Sequence, residues 1–155
     1  MALMGGRQAN GRGSGIVPRM AEMPTVVPLE RTFDALYGLE ILGHCAEEAS
    51  ARVAVRDEVK QPMGLVHGGV FASIAESLTS MATAAAVWED GKAAQGLSNQ
   101  TSFLRPITEG TIHAIARRRH RGRTTWVWEV EISDDAQRLC ALVRMTIAVR
   151  DRPAG

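Results

Sequence analysis

The stretch GLVHGGVFASIAESLTSMATAAAVWED, Gly64 to Asp90, limits what this chain can fold into. Its spacing predicts one long helix from His67 to about Trp88, in which Glu76 is the sole carboxylate before Glu89. A solvated helix normally carries several Lys, Glu or Arg on its outer face. Here Ala, Ser, Thr and Met stand in their place, so both faces need cover. Rotation at about 100° per residue puts Val70, Ile74, Leu78, Met81 and Ala85 on a stripe expected to face a sheet. It puts Ala72, Glu76, Thr79, Ser80, Thr83 and Val87 roughly opposite. Small side chains there let another backbone approach, and the expected cover is a partner subunit. The helix has the length of a membrane span. Its serines, threonines and Glu76, and alanine in place of leucine, favour a buried helix in a soluble domain, with no membrane partner.

The segments around the helix read as strands. EASARVAVRDEV alternates at period two, with Ala51, Val53 and Val55 on one side. Ahead of it a short helix is expected near Glu30 to Tyr37, and an extended segment follows Gly38. After the helix, with Gly91 as a C-cap, four strands follow: AAQGLSNQTSFLR, TIHAIARRRH, TTWVWEVEIS and RLCALVRMTIAVR. Tight turns make them antiparallel, and one long helix must cover a face of their sheet. The expected class is α+β: a hotdog fold, with a curved antiparallel sheet wrapped around one central helix. Residues 26–152 make the single domain. Residues 1–25, rich in Gly and Arg and without a continuous apolar run, read as a flexible arm.

The His-Gly-Gly at the helix start carries chemistry. First-turn N–H groups lack intrahelical partners, and the helix dipole favours negative charge there. Gly68 and Gly69 let a carbonyl approach that backbone, where a tetrahedral oxyanion would be stabilised. His67 reads as a cap or turn residue. Glu76 reads equally as an interface glutamate or as a catalytic one, with Ser80 at i+4 placed to bond it. Eight residues separate Gly68 from Glu76, roughly 12 Å along a helix. One carbonyl touches both only if Glu76 comes from a second chain, across two antiparallel helices.

Together, GLVHGG…AE, SNQTSFLRP, EG, TTWVWEV, DDAQRLCA and MTIAVR resemble the hotdog-fold 4-hydroxybenzoyl-CoA thioesterases whose glutamate lies on the long helix. More broadly they resemble the phenylacetate-degradation-type thioesterases. The similarity runs from about Gln61 to Arg150. It implies hydrolysis of acyl-CoA thioesters, with aromatic acyl groups expected, to free acid and CoA. It makes Glu76 the nucleophile or general base, Gly68 the carbonyl-polarising N–H, Gln61 the residue aligning the acyl group, and Ser80 a hydroxyl assisting water. Pro62 and Met63 depart from the family pattern beside Gln61, in the implied acyl pocket. The family is usually a tetramer built from two hotdog dimers.

ARRRHRGRTTW gathers Arg117, Arg118, Arg119, His120, Arg121 and Arg123 around one turn. A solvated surface, a nucleic-acid contact and a coenzyme A phosphate site compete for it. Nucleic acid needs more basic surface with aromatic stacking partners, and the net charge is only +1. The resemblance places Thr124 and Thr125 near the nucleotide-binding loop. Arg121 and Arg123 are then the expected phosphate ligands, with Arg105, Arg150, His67 and Gly69 as further substrate contacts. Two cysteines without ligand spacing imply no zinc site and no disulfide framework, and fit a reducing cytoplasm. No cofactor is expected, because coenzyme A is part of substrate and product. The competing functions are a non-catalytic CoA-ester-binding module and an acyl-CoA dehydratase. The latter usually shows an Asp/His pair, and none occurs at suitable spacing.

Overall fold

The computed structural model describes residues 26–152, and the expected arm over residues 1–25 lies outside them. A 3-10 turn, Leu29–Arg31, leads into α1, Phe33–Tyr37. Strands β1, Glu40–His44, and β2, Glu48–Ala54, precede α2, Gly68–Val87. Four strands follow: β3, Lys92–Phe103; β4, Thr111–Arg121; β5, Thr125–Ser133; and β6, Leu139–Asp151.

All six strands form one antiparallel sheet in the order β1-β2-β4-β5-β6-β3. The chain returns from α2 into β3, which pairs with β6 beyond β5, so β3 is an edge strand. The sheet wraps α2, which touches every strand from β2 to β6. This is the hotdog arrangement expected from the element order.

Period two places Trp126, Trp128, Val130 and Ile132 of β5 on the helix-facing side, and all four are buried. Val53, Ile112, Val143, Met145 and Ile147 join them around Ile74 and Leu78. Each such side chain contributes about 1.5–3 kcal/mol by leaving water. By length and composition α2 could cross a membrane. Its contacts are instead those of a core helix, with eight of its residues buried.

The buried face of α2 differs from the expected stripe. Ile74 and Leu78 face the sheet as expected, but Val70, Met81 and Ala85 are only half-buried. Phe71, Ala75, Thr79, Ala82, Thr83 and Val87 are buried instead, which turns the contact face by roughly one residue, ~100°. The threonines tolerate burial because their hydroxyls are satisfied. Thr79 Oγ1 donates to the Ala75 carbonyl at 2.7 Å and Thr83 Oγ1 to that of Thr79 at 2.8 Å. Trp128 Nε1 then donates to Thr83 Oγ1 at 2.9 Å. Gly91 adopts φ 69° in the turn into β3, while the C-cap of α2 is Trp88.

Candidate active site

The segment before α2 is fixed at both ends. Val66 N–H donates to the Ile107 carbonyl at 2.8 Å and His67 N–H to that of Val59 at 2.9 Å. This sets the direction of the first helical turn. His67 is the N-cap: its Nδ1 accepts from Gly69 N–H at 2.9 Å, as expected of a capping residue. Val70 N–H is taken by the His67 carbonyl. Gly68 N–H is the first-turn donor left without a partner among the described residues. The ring of Phe103 lies over Gly68, 2.8 Å from where a Cβ would stand, so a side chain at this position would have to push the ring aside.

A cleft of about 590 Å³ opens in front of this amide. Gln61, Leu65, His67, Phe71, Phe103 and Arg105 are among its walls. Gln61 Oε1 accepts from Met63 N–H at 3.2 Å, which leaves its amide N–H groups to face a carbonyl. Pro62 and Met63 are exposed and are not among the walls of this cleft; Met63 is 80% accessible. The sequence thus brings Gly68, Gln61, His67 and Arg105 together in one chain.

Glu76 stands elsewhere. Two turns further along α2, its carboxylate lies against Gly96 of β3. Ser80 Oγ donates to Glu76 Oε1 over a long 3.5 Å. Between the two positions, Asn99 Nδ2 donates to the Ala72 carbonyl at 2.9 Å. Gly68 and Glu76 therefore sit at two points along the same sheet edge, about 12 Å apart on the helix.

The basic turn belongs to the Glu76 end. Thr125 pairs with Ala148, which pairs with Gln95, while the Phe103–Ala141 pair marks the other end beside Gly68. Seven residues of β6 separate Ala141 from Ala148, roughly 24 Å of strand. Several of the arginines are spent on the protein. Arg117 pairs with Glu48 and Glu131, Arg118 with Glu47, and Arg119 with Glu129. Arg150 Nη1 donates to the Thr124 carbonyl at 2.7 Å and buttresses the turn. The Arg121 guanidinium lies 5.1 Å from the Trp126 ring centroid, and Arg123 makes no ion pair among the described residues. Arg121, Arg123 and Thr124 are exposed, and Thr125 is partly so.

Residue types alone did not point to Phe103, Asn99 or Gly96. Gly96 did carry a signal, since a glycine inside a strand often marks a close approach. Asn99 and Phe103 fall inside SNQTSFLR, where their side-chain contacts depend on the return of β3 to α2.

A sequence profile of the thioesterase superfamily matches residues 63–141. The chain belongs to this superfamily. A 1,4-dihydroxy-2-naphthoyl-CoA hydrolase of Listeria monocytogenes is 33% identical over 115 residues, 74% of this chain and 93% of that protein. A Pseudomonas aeruginosa thioesterase, solved as a glutamine-to-alanine mutant, superposes with a TM-score of 0.74 at 33% identity. It covers 77% of this chain and 86% of its own. A Staphylococcus aureus thioesterase, 26% identical, was solved as a glutamine-to-alanine mutant with a TM-score of 0.72, covering 76% of this chain and 97% of its own. Its glutamate-to-alanine mutant gives 0.74, covering 77% and 98%. The two altered positions are fifteen residues apart there, the separation of Gln61 and Glu76 here. On the family match this protein is a thioester hydrolase.

Proposed function

We propose that this thioesterase hydrolyses acyl-CoA thioesters, with aromatic acyl groups preferred, at sites shared between two subunits. The observation that carries the reading is the free Gly68 amide at the tip of α2, facing a cleft that also holds Gln61. A thioester carbonyl placed there accepts from Gly68 N–H, and Gln61 orients it. Negative charge that develops on the oxygen is stabilised by a donor already in position. The Listeria relative, named for an aromatic CoA ester, supports the choice of substrate. The paired glutamine and glutamate mutants in the staphylococcal relative support interest in the positions of Gln61 and Glu76.

Glu76 then acts from the partner. β3 is an open edge of 12 residues, the kind of edge proteins cover. A two-fold axis near Ala72 and Asn99 would set Gly68 of one chain opposite the glutamate of the other. It would also bring the Arg105 end of one subunit to the partner's basic turn. Two such dimers form the proposed tetramer. The carboxylate reacts in one of two ways. It attacks the carbonyl carbon and expels the CoA thiolate, giving an anhydride that water opens. Or it takes a proton from water as that water attacks, and the carboxylic acid so formed returns the proton to the departing sulfur, which leaves as the CoA thiol. Both routes yield free acid and CoA. Ser80 holds the carboxylate or the water, and Arg121, Arg123, Thr124 and Thr125 receive the CoA phosphates.

The test is thiol release from benzoyl-, 4-hydroxybenzoyl-, phenylacetyl- and short aliphatic CoA esters, wild type beside Glu76→Ala. The expected result is turnover of aromatic esters and a loss of at least ~10³ in kcat for the variant. Retained activity in Glu76→Ala would remove the glutamate from the chemistry.

A further inference from the structure

The tip of α2 is flanked by a second cleft, of about 380 Å³, on the side away from β3. Its walls are Phe33, Leu36 and Tyr37 of α1, Val59, and Val70 and Ser73 of α2, and His67 and Gly69 form its inner rim. His67 lines both clefts; Gly68 opens to the first and Gly69 to the second. His67 is common to the two walls, so a carbonyl bound at the Gly68 amide in the first cleft lies beside the second, and a thioester has two arms to place.

Charge distinguishes the arms. Arg105 lies in the wall of the first cleft, and that cleft borders the edge strand, so it suits the polyanionic CoA arm. The second cleft has Lys60 as its cation, with Nζ tied to Asp57 at 3.0 Å, and the carboxylate of Glu58 also stands in its wall, which disfavours a polyanion there. Its remaining wall is mostly apolar. Phe33 and Leu36 are 63% and 74% accessible. They are large apolar side chains held at a cleft mouth with nothing over them among the described residues, which is how ligand walls look before they are filled.

The wall is held rigidly. Tyr37 Oη donates to Asp34 Oδ1 at 2.8 Å and lies 3.2 Å from Ser77 Oγ. Ser77 Oγ donates to the same carboxylate oxygen at 2.6 Å. This triangle fastens α1 to α2 next to Glu76. A helix of five residues has no stability of its own, so the triangle and the buried Tyr37 ring explain why α1 stays in place.

We propose that the cleft between α1 and the first turns of α2 is the acyl subsite, and that Phe33 and Leu36 set which acyl groups are accepted. It rests on the proposed thioesterase reaction at Gly68. An apolar acyl group of aromatic size fits the volume and the wall chemistry, while a long anionic arm does not. Selectivity then comes from α1, outside the segment that the superfamily profile matches.

The experiment compares Phe33→Trp, which narrows the cleft, and Phe33→Ala/Leu36→Ala, which widens it. Both change exposed side chains, and circular dichroism with thermal melts checks the fold. Thiol release is measured on acetyl-, hexanoyl-, benzoyl- and phenylacetyl-CoA. Phe33→Trp is expected to lower kcat/KM at least ~10-fold more for benzoyl- than for acetyl-CoA. The widened variant should shift preference toward phenylacetyl- and hexanoyl-CoA. An equal loss across the panel, or no change, overturns the proposal. A second readout is independent of turnover: calorimetric affinity of a non-hydrolysable benzoyl-CoA thioether relative to free CoA. That ratio is expected to collapse in Phe33→Trp. If wild type hydrolyses no ester yet the ratio collapses, the reaction is wrong and the subsite stands. If wild type hydrolyses the panel and the ratio is unmoved, the subsite is wrong and the reaction stands.

Discussion

The carboxylate of Glu76 occupies the space that a side chain on Gly96 would take: a Cβ there would overlap Oε1 and lie 2.8 Å from Cδ. Strand β3 is bulged just after this glycine, between Gly96 and Ser98, and the close approach of helix and strand depends on both features.

Gly96→Ala should separate activity from stability. The added methyl meets the far end of a flexible side chain, so the fold gives way cheaply, and the stability change should stay within about 1 kcal/mol. The carboxylate must swing away from its position. Misplacement of a reacting group by about 1 Å costs on the order of 10²-fold. The expected outcome is a kcat at least ~50-fold lower with a nearly unchanged melting temperature. Equal kcat in the variant would show that Glu76 works from another rotamer, or not at all.

Gly68 lends itself to a two-step test. Gly68→Ala places a methyl against the Phe103 ring, and Phe103 is exposed enough to be removed. If glycine is required only because of Phe103, Phe103→Ala should restore the alanine variant. If it is required because a carbonyl must reach the amide, the double variant should stay at least ~10²-fold below Phe103→Ala alone in kcat/KM. The second outcome is expected. The cycle measures the coupling directly.

Much of this arrangement was legible in the residues. The turn signals gave the antiparallel order, and the element order gave one long helix against one sheet; the burial of Trp126, Trp128, Val130 and Ile132 on one side of β5 came from the structure. His67 as a cap followed from the chemistry of helix starts, which offered Gly68 and Gly69 alike as donors; the cap bond takes the Gly69 N–H and leaves that of Gly68. The face of α2 was misread because apolar bulk favoured Val70 and Met81. Burial of Thr79 and Thr83 depends on their carbonyl bonds and on Trp128, a residue 45 positions away from Thr83. Likewise, the meeting of Glu76 with Gly96 and of α1 with Ser77 depends on long-range packing that no local pattern encodes. Arg117, Arg118 and Arg119 looked alike with Arg121 in the sequence, but strand register gave the first three glutamate partners.

That division of the arginines leads to a salt-dependent prediction. Arg121→Ala/Arg123→Ala should raise KM for benzoyl-CoA about 5–10-fold at low ionic strength, a discounted value because both side chains are exposed. The effect should fade as salt rises. A truncated N-acetylcysteamine thioester, which lacks the phosphates, should be turned over equally by wild type and variant. Arg119→Ala, whose partner is Glu129, should leave KM unchanged for both substrates.

Tyr37 gives a stability prediction with a sign set by its environment. Burial first, then the neighbouring Asp34 carboxylate, hold its phenol neutral well above the ordinary tyrosine range, with the Ser77 hydrogen bond opposing. The folded pKa is thus raised over the unfolded value of about 10. The contribution is fully present below that value and is lost as pH climbs from about 10 toward the folded pKa, because the unfolded chain ionises first. Tyr37 is the sole tyrosine in the chain, so tyrosinate absorbance reports this one group. Native protein should show no tyrosinate signal at pH about 10, where an unfolded sample is half ionised. Tyr37→Phe should lose about 1 kcal/mol at neutral pH, since Ser77 still bonds Asp34, and should show a flatter alkaline limb in denaturant midpoints. A native sample that titrates at the unfolded pKa would mean that α1 is open in solution, and would remove the rigid wall on which acyl selection depends.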